Sequence, residues 1–302
     1  MKQSSGNRIA RWLGAFAVVG LVAGSSFALA REGSSSGKAM IAPQAIGSAT
    51  ASCPKGTGIV ASGFASPRFS PKNNRGVARI SSKLLDKRRL ETGGFNFGSR
   101  PGELDSLAYC AKAGLSIRVA TQKVFVAPHS AAVAVATCRG TSQAISGGFA
   151  SPGFSLKGPQ VLVLTSKRNG RNKWRVEGFN MGGNNDGGSA QQDFPGTLVA
   201  YAYCLQAAPE LVTRKKRVTA GQGAVKAVTV TCPTGMKALS GGFDGNVYLS
   251  ANMAAAGAIA SKRVGNGRDW RISAISISER SAKVSAYAYC MPRFDSRVRI
   301  AT

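Results

Sequence analysis

Cys138-Arg139-Gly140, Ser146-Gly147-Gly148-Phe149, Ser166-Lys167-Arg168, Trp174-Arg175-Val176 and Tyr201-Ala202-Tyr203-Cys204 follow one another through the middle of this chain. The same pattern returns as Cys232-Pro233-Thr234-Gly235, Ser240-Gly241-Gly242-Phe243, Ser261-Lys262-Arg263, Trp270-Arg271-Ile272 and Tyr287-Ala288-Tyr289-Cys290. A more worn copy precedes both, keeping Cys53-Pro54-Lys55-Gly56, Ser62-Gly63-Phe64, Ser82-Lys83 and Ala108-Tyr109-Cys110. The phenylalanines Phe64, Phe149 and Phe243 each fall 11 residues after the opening cysteine. A period of about 85–94 residues exceeds most solenoid repeats and suits tandem units of domain size.

Each unit reads as β. Val199 to Cys204 alternates with period two, placing Tyr201 and Tyr203 on one face and Ala200, Ala202 and Cys204 on the other. Trp174-Arg175-Val176-Glu177 and Trp270-Arg271-Ile272-Ser273 alternate apolar and polar residues, as half-buried strands do. Asn169-Gly170-Arg171-Asn172 and Gly265-Asn266-Gly267-Arg268 lie between strands and predict hairpins. Gly147-Gly148 and Gly241-Gly242 mark a bulge or a close backbone approach before a core phenylalanine. A phosphate-cradling loop does not fit, because no helix and no Lys-Ser/Thr follows.

All six cysteines open or close a copy. Equal placement favours Cys53–Cys110, Cys138–Cys204 and Cys232–Cys290 among the 15 pairings that six cysteines allow. Each such loop would stabilise its unit by roughly 4 kcal/mol in the chain-entropy account. Pairing Cys110 with Cys138 and Cys204 with Cys232 is the alternative in a closed threefold fold.

Lys2, Arg8 and Arg11, the apolar stretch around Trp12–Val22 and Ala28-Leu29-Ala30 have the form of a Sec-type signal peptide over residues 1–30. Its removal would take three of the 40 Lys+Arg and none of the 13 Asp+Glu, lowering the net charge from +27 to +24. An even cysteine count in an exported chain points to disulfides and to an extracellular or cell-envelope location. No span long enough to cross a membrane is expected after residue 30. Residues 31–47 read as a flexible leader, followed by β-repeats at 48–126, 127–218 and 219–302.

The Cys-Pro-x-Gly, Ser-Gly-Gly-Phe, tryptophan strand and Tyr-Ala-Tyr-Cys series resembles repeats of exported bacterial, particularly actinobacterial, proteins of uncharacterised role. That resemblance covers nearly all of residues 49–302 and brings no catalytic residues with it. The chain is also faintly similar to the vitelline membrane outer layer family, whose repeats carry Cys-Pro-x-Gly and Gly-Phe; this implies a β-prism of three sheets. The copies here are longer than that family's. Each also holds Cys, Trp, Tyr and Cys, as immunoglobulin domains do, but Trp174 falls 36 residues after Cys138, too late for that topology. The expected fold is therefore all-β: three tandem, disulfide-stapled antiparallel domains of sandwich type, with one pseudo-threefold β-prism as the alternative.

Function is read from charge. Lys83, Lys87, Arg88 and Arg89 surround the first hairpin; Lys167, Arg168, Arg171, Lys173 and Arg175 the second; Lys262, Arg263, Arg268 and Arg271 the third. Arg214-Lys215-Lys216-Arg217 lies between the second and third copies. Repeated basic hairpins would contact a polyanion several times over: anionic glycan, teichoic acid, lipopolysaccharide, lipid head groups or DNA. Aromatic residues do not interleave with these cations, so specific nucleic-acid recognition is not expected. The competing reading is a structural or adhesive surface protein whose charge is incidental.

Enzymatic readings find little support. His129 is the single histidine, in an Ala-Pro-His-Ser junction, which leaves no repeated triad and no histidine metal site. Glu103 with Asp105, or Asp186 with Asp193, could serve an envelope-acting glycoside hydrolase, yet neither pair recurs between copies. No catalytic residue, metal or cofactor is expected.

Overall fold

The structure is a computed structural model that describes residues 34–112, 116–182, 194–206, 208–245, 255–277 and 280–292. The expected signal peptide, Asp186 and Asp193 lie outside the described residues. The first repeat contains β1 (Ser34–Ile41), β2 (Ile46–Ser52), β3 (Thr57–Ala65), β4 (Val77–Leu84), β5 (Arg89–Asn96) and β6 (Gly102–Lys112). The second contains β7 (Ile117–Val126), β8 (Ala131–Thr137), β9 (Gln143–Ala150), β10 (Val161–Arg168), β11 (Lys173–Asn180) and β12 (Gly196–Leu205). The third contains β13 (Val212–Ala220), β14 (Val225–Thr231), β15 (Met236–Asp244), β16 (Ala256–Val264), β17 (Asp269–Ser276) and β18 (Ala282–Pro292). Every strand pair between these elements is antiparallel. Among the described residues no helix is long and apolar enough to cross a membrane.

Within a repeat the strands divide into two triplets, β1-β6-β3 and β2-β5-β4 in the first. The triplets are layered and joined by the expected disulfide, Cys53–Cys110; Cys138–Cys204 and Cys232–Cys290 do the same in the other repeats. Each repeat thus has the two layers of a small sandwich. Neither layer ends within its repeat, however. The sheets run β1-β6-β3-β16-β17-β14, β2-β5-β4-β9-β12-β7 and β13-β18-β15-β10-β11-β8, so each takes three strands from one repeat and three from another. The third repeat pairs back onto the first through β16 and β3. The described residues therefore make one compact unit, a closed threefold arrangement of sheets.

This topology moves the repeat boundaries. Residues 34–41, expected within a flexible leader, form β1 and pair with β6 from Ser34↔Tyr109 to Ile41↔Gly102. The expectation failed because Ser34-Ser35-Ser36-Gly37 has loop composition. Its alternating exposure nevertheless follows the strand period, and Gly37 packs against the Thr50 backbone where a Cβ would collide. Likewise β7 and β13, expected at the ends of the preceding units, pair with β12 and β18 and open their own repeats.

Two glycines serve two rings. A Cβ on Gly147 or Gly241 would overlap Trp174 or Trp270, which pack flat over them. A Cβ on Gly148 or Gly242 would strike the backbone of Ser82 or Ser166 in the neighbouring repeat and the hydroxyl of Tyr203 or Tyr289. The glycines thus mark close approach, while the bulges fall earlier, at Val60, Ile145 and Leu239. The first repeat has Leu90 where the others have tryptophan, and correspondingly Ser62 where they have the first glycine.

The phenylalanines after these glycines meet at the centre. Phe64, Phe149 and Phe243 pack edge to face with centroids 6.0–6.3 Å apart. The guanidinium of Arg79 covers all three rings at 4.4–5.4 Å. It donates to the carbonyls of Val163 (2.8 Å) and Ala258, which occupy its own position in the other two repeats. Burial pulls its pKa down.

Candidate cationic surface

Turn chemistry places the basic hairpins. Gly170, Gly265 and Gly267 take positive φ at the tips of β10–β11 and β16–β17. Each tip is clamped to its own opening cysteine: Cys53, Cys138 and Cys232 donate N–H to the carbonyls of Arg88, Asn172 and Arg268 at 2.8–2.9 Å. All three hairpins therefore lie at the end of the ring that carries the disulfides, but on three different sheets.

The structure divides the predicted contact residues into two groups. Many are engaged within the fold. Arg88 donates to the Cys53 carbonyl (2.9 Å) and Arg268 to that of Cys232 (3.1 Å). Arg168 donates to Gln143 (3.2 Å) and the Arg171 carbonyl (2.9 Å), and burial lowers its pKa. Arg263 donates to the Leu239 carbonyl and lies over Tyr109 at 4.6 Å. Lys83 pairs with Glu91 (3.5 Å), Arg89 with Asp86 (2.6 Å), Lys167 with Asp244 and Arg175 with Glu177 (2.9 Å). Lys262 sits opposite Arg271, near enough to Asp105 to favour that carboxylate's charged form. Lys87, Arg171, Lys173 and Arg271 remain exposed without an ion pair among the described residues.

The densest exposed charge lies elsewhere. Arg214-Lys215-Lys216-Arg217 occupies the middle of β13, an edge strand, and all four residues are exposed. The ladder to β18 is regular from Val212↔Cys290 to Ala220↔Ala282, so the four side chains alternate between the two faces. Lys215 lies over Tyr287 at 5.2 Å and Lys167 over the same ring at 5.6 Å. The run is evident in the sequence. Its place on a strand is not, because four consecutive cations erase the apolar alternation that identifies strands.

Of the acid candidates, Glu103 and Asp105 stand two residues apart on β6. Glu103 is held by Lys38 (3.1 Å) and Arg68 (3.4 Å), while burial raises the pKa of Asp105. His129 is exposed in the β7–β8 turn. An open cleft of about 600 Å³ beside the first hairpin is walled by Ile59, Leu84, Leu85, Ile117 and Val119. Asp86 on its rim accepts the N–H groups of Arg88 and Arg89 and keeps a lowered pKa. The sequence matches no family model and no curated protein.

Proposed function

We propose that this chain is an exported, non-enzymatic binding protein of the cell envelope or extracellular space, which holds anionic polymers on its cationic surface. The observation that carries this reading is the β13 edge, four adjacent cations with no ion pair among the described residues. Lysines on an edge strand also discourage sheet-to-sheet association. One or two would suffice for that. The exposed hairpin cations add contacts, Arg171 and Lys173 on the same sheet as β13 and Lys87 and Arg271 on the other two, and several weak contacts on one rigid body act together. The three buried disulfides suit an oxidising compartment.

Binding to heparin and to a short DNA duplex, measured against salt, tests the proposal. Converting Arg214, Lys215, Lys216 and Arg217 to Ser or Thr should reduce the slope of log K against log salt on DNA by about 3 to 4. Converting Arg171 and Lys173 to Ser should have a smaller effect in the same direction. Salt-independent or undetectable binding by the unaltered protein would instead favour the structural reading, in which charge is incidental.

A further inference from the structure

At the end of the ring opposite the hairpins, each repeat leaves one apolar residue partly exposed; the Phe97 ring also rests on Gly76 and lies 5.7 Å from that of Phe69. Phe97, Met181 and Ile277 each follow the last residue of β5, β11 and β17, and they are 46%, 43% and 48% exposed. Their presentation is built into the backbone. Phe97 N–H bonds the Gly76 carbonyl at 2.9 Å, Met181 N–H that of Gln160 at 3.1 Å, and Ile277 N–H that of Ala255 at 3.0 Å. The preceding residue locks the turn from within. Buried Asn96 donates to the carbonyls of Ile41 and Arg100, and buried Asn180 to those of Val126 and Phe194. Ser276 donates to the carbonyl of Arg280.

More apolar surface joins them. Met40 and Ile46 flank the β1–β2 turn at this end, and Phe125, 75% exposed, stands at the end of β7. Single exposed apolar residues need no explanation. Three at equivalent positions, each on a pinned backbone, do. Cations accompany them: Arg100 stands three residues beyond Phe97, and Lys123 lies 5.3 Å from the Phe125 ring.

Equivalent positions in a closed threefold ring share one height along its axis, so a flat surface can meet all three tips at once. An apolar layer beneath an anionic one would accept both the tips and their cations. A protein groove would have to reproduce the threefold spacing. We propose that this end of the ring docks on the surface of an anionic lipid bilayer, with Phe97, Met181, Ile277 and Phe125 entering the interface. The proposal relies on the cationic reading for its headgroup contacts and adds an apolar term that soluble polyanions cannot supply.

Co-sedimentation of the full chain with phosphatidylglycerol–phosphatidylcholine vesicles, alongside heparin binding, tests it. The protein should bind these vesicles and retain part of that binding at salt that elutes it from heparin. The combined Phe97→Ser, Met181→Ser and Ile277→Ser variant should weaken vesicle binding on the order of tenfold or more while leaving heparin binding unchanged. Leu85→Ser with Val119→Ser, which removes exposed apolar residues at the hairpin end, should leave both unchanged. Near-ultraviolet circular dichroism checks that each variant keeps its packing. Equal vesicle binding by the triple variant, or vesicle binding that vanishes at the heparin elution point, would overturn docking and leave the cationic reading intact. Vesicle binding without heparin binding would overturn the cationic reading instead.

Discussion

The hydroxyls of Tyr109, Tyr203 and Tyr289 each accept a backbone N–H from another repeat: Arg263 at 2.6 Å, Leu84 at 3.1 Å and Arg168 at 2.7 Å. They bond where the inter-repeat strands begin to diverge after two paired residues. Tyr289→Phe should therefore cost about 1–3 kcal/mol in denaturant unfolding by stranding the Arg168 amide. Burial raises all three phenol pKa values, that of Tyr109 to about 12. Above the ordinary value of 10.0 the unfolded chain releases these protons and the folded chain keeps them. Stability should thus fall as pH rises from 10 toward 12, and phenolate absorbance from Tyr203 and Tyr289 should appear only with unfolding. A different hydroxyl is a liability. Trp174 and Trp270 donate their indole N–H to Ser166 and Ser261 at 3.0 Å, but Leu90 offers Ser82 nothing, and its buried oxygen has no partner among the described residues. Ser82→Ala should raise stability by about 1 kcal/mol in the same assay. None of these roles shows in the sequence. Tyr-Ala-Tyr reads as strand alternation, and Arg79 stands at a position where the other copies have Val163 and Ala258.

Pairs of strands explain the worn spelling of the first copy. The ring over β3 and the residue beneath it must change together: Leu90 with Ser62, or tryptophan with glycine. Leu90→Trp alone should destabilise, since the indole would meet the Ser62 Cβ. Leu90→Trp with Ser62→Gly should recover stability and give Ser82 its donor, a coupling that a double-mutant cycle on thermal unfolding would measure. The hairpins β10–β11 and β16–β17 were legible because Asn and Gly turns separate alternating strands. The strands β1 and β13 were hidden, one by serine and glycine, the other by charge. Both take their strand form from pairing with the closing-cysteine strand, a partner distant in sequence. The cationic site suffered the same limit. Counting Arg168, Arg263 and Arg268 as surface charge overlooks the backbone carbonyls that their guanidinium groups satisfy.

For the molecule as a whole, shared sheets should bind the repeats into one cooperative unit. Calorimetry should show a single transition with equal calorimetric and van't Hoff enthalpies, where independent tandem domains would show several. Residues 116–206 alone should fail to fold, because β9 and β10 would lose their partners β4 and β15 and expose two strand edges. The internal repeat was plain in the sequence; its mode of assembly was not. Period and cysteine spacing are the same whether each triplet stops at its own edge or continues into a neighbour's. The contact of β16 with β3 has one more consequence. Beads on a string can be multiplied freely, but a circle cannot take a fourth member without reopening, so duplication of this unit has a natural stopping number.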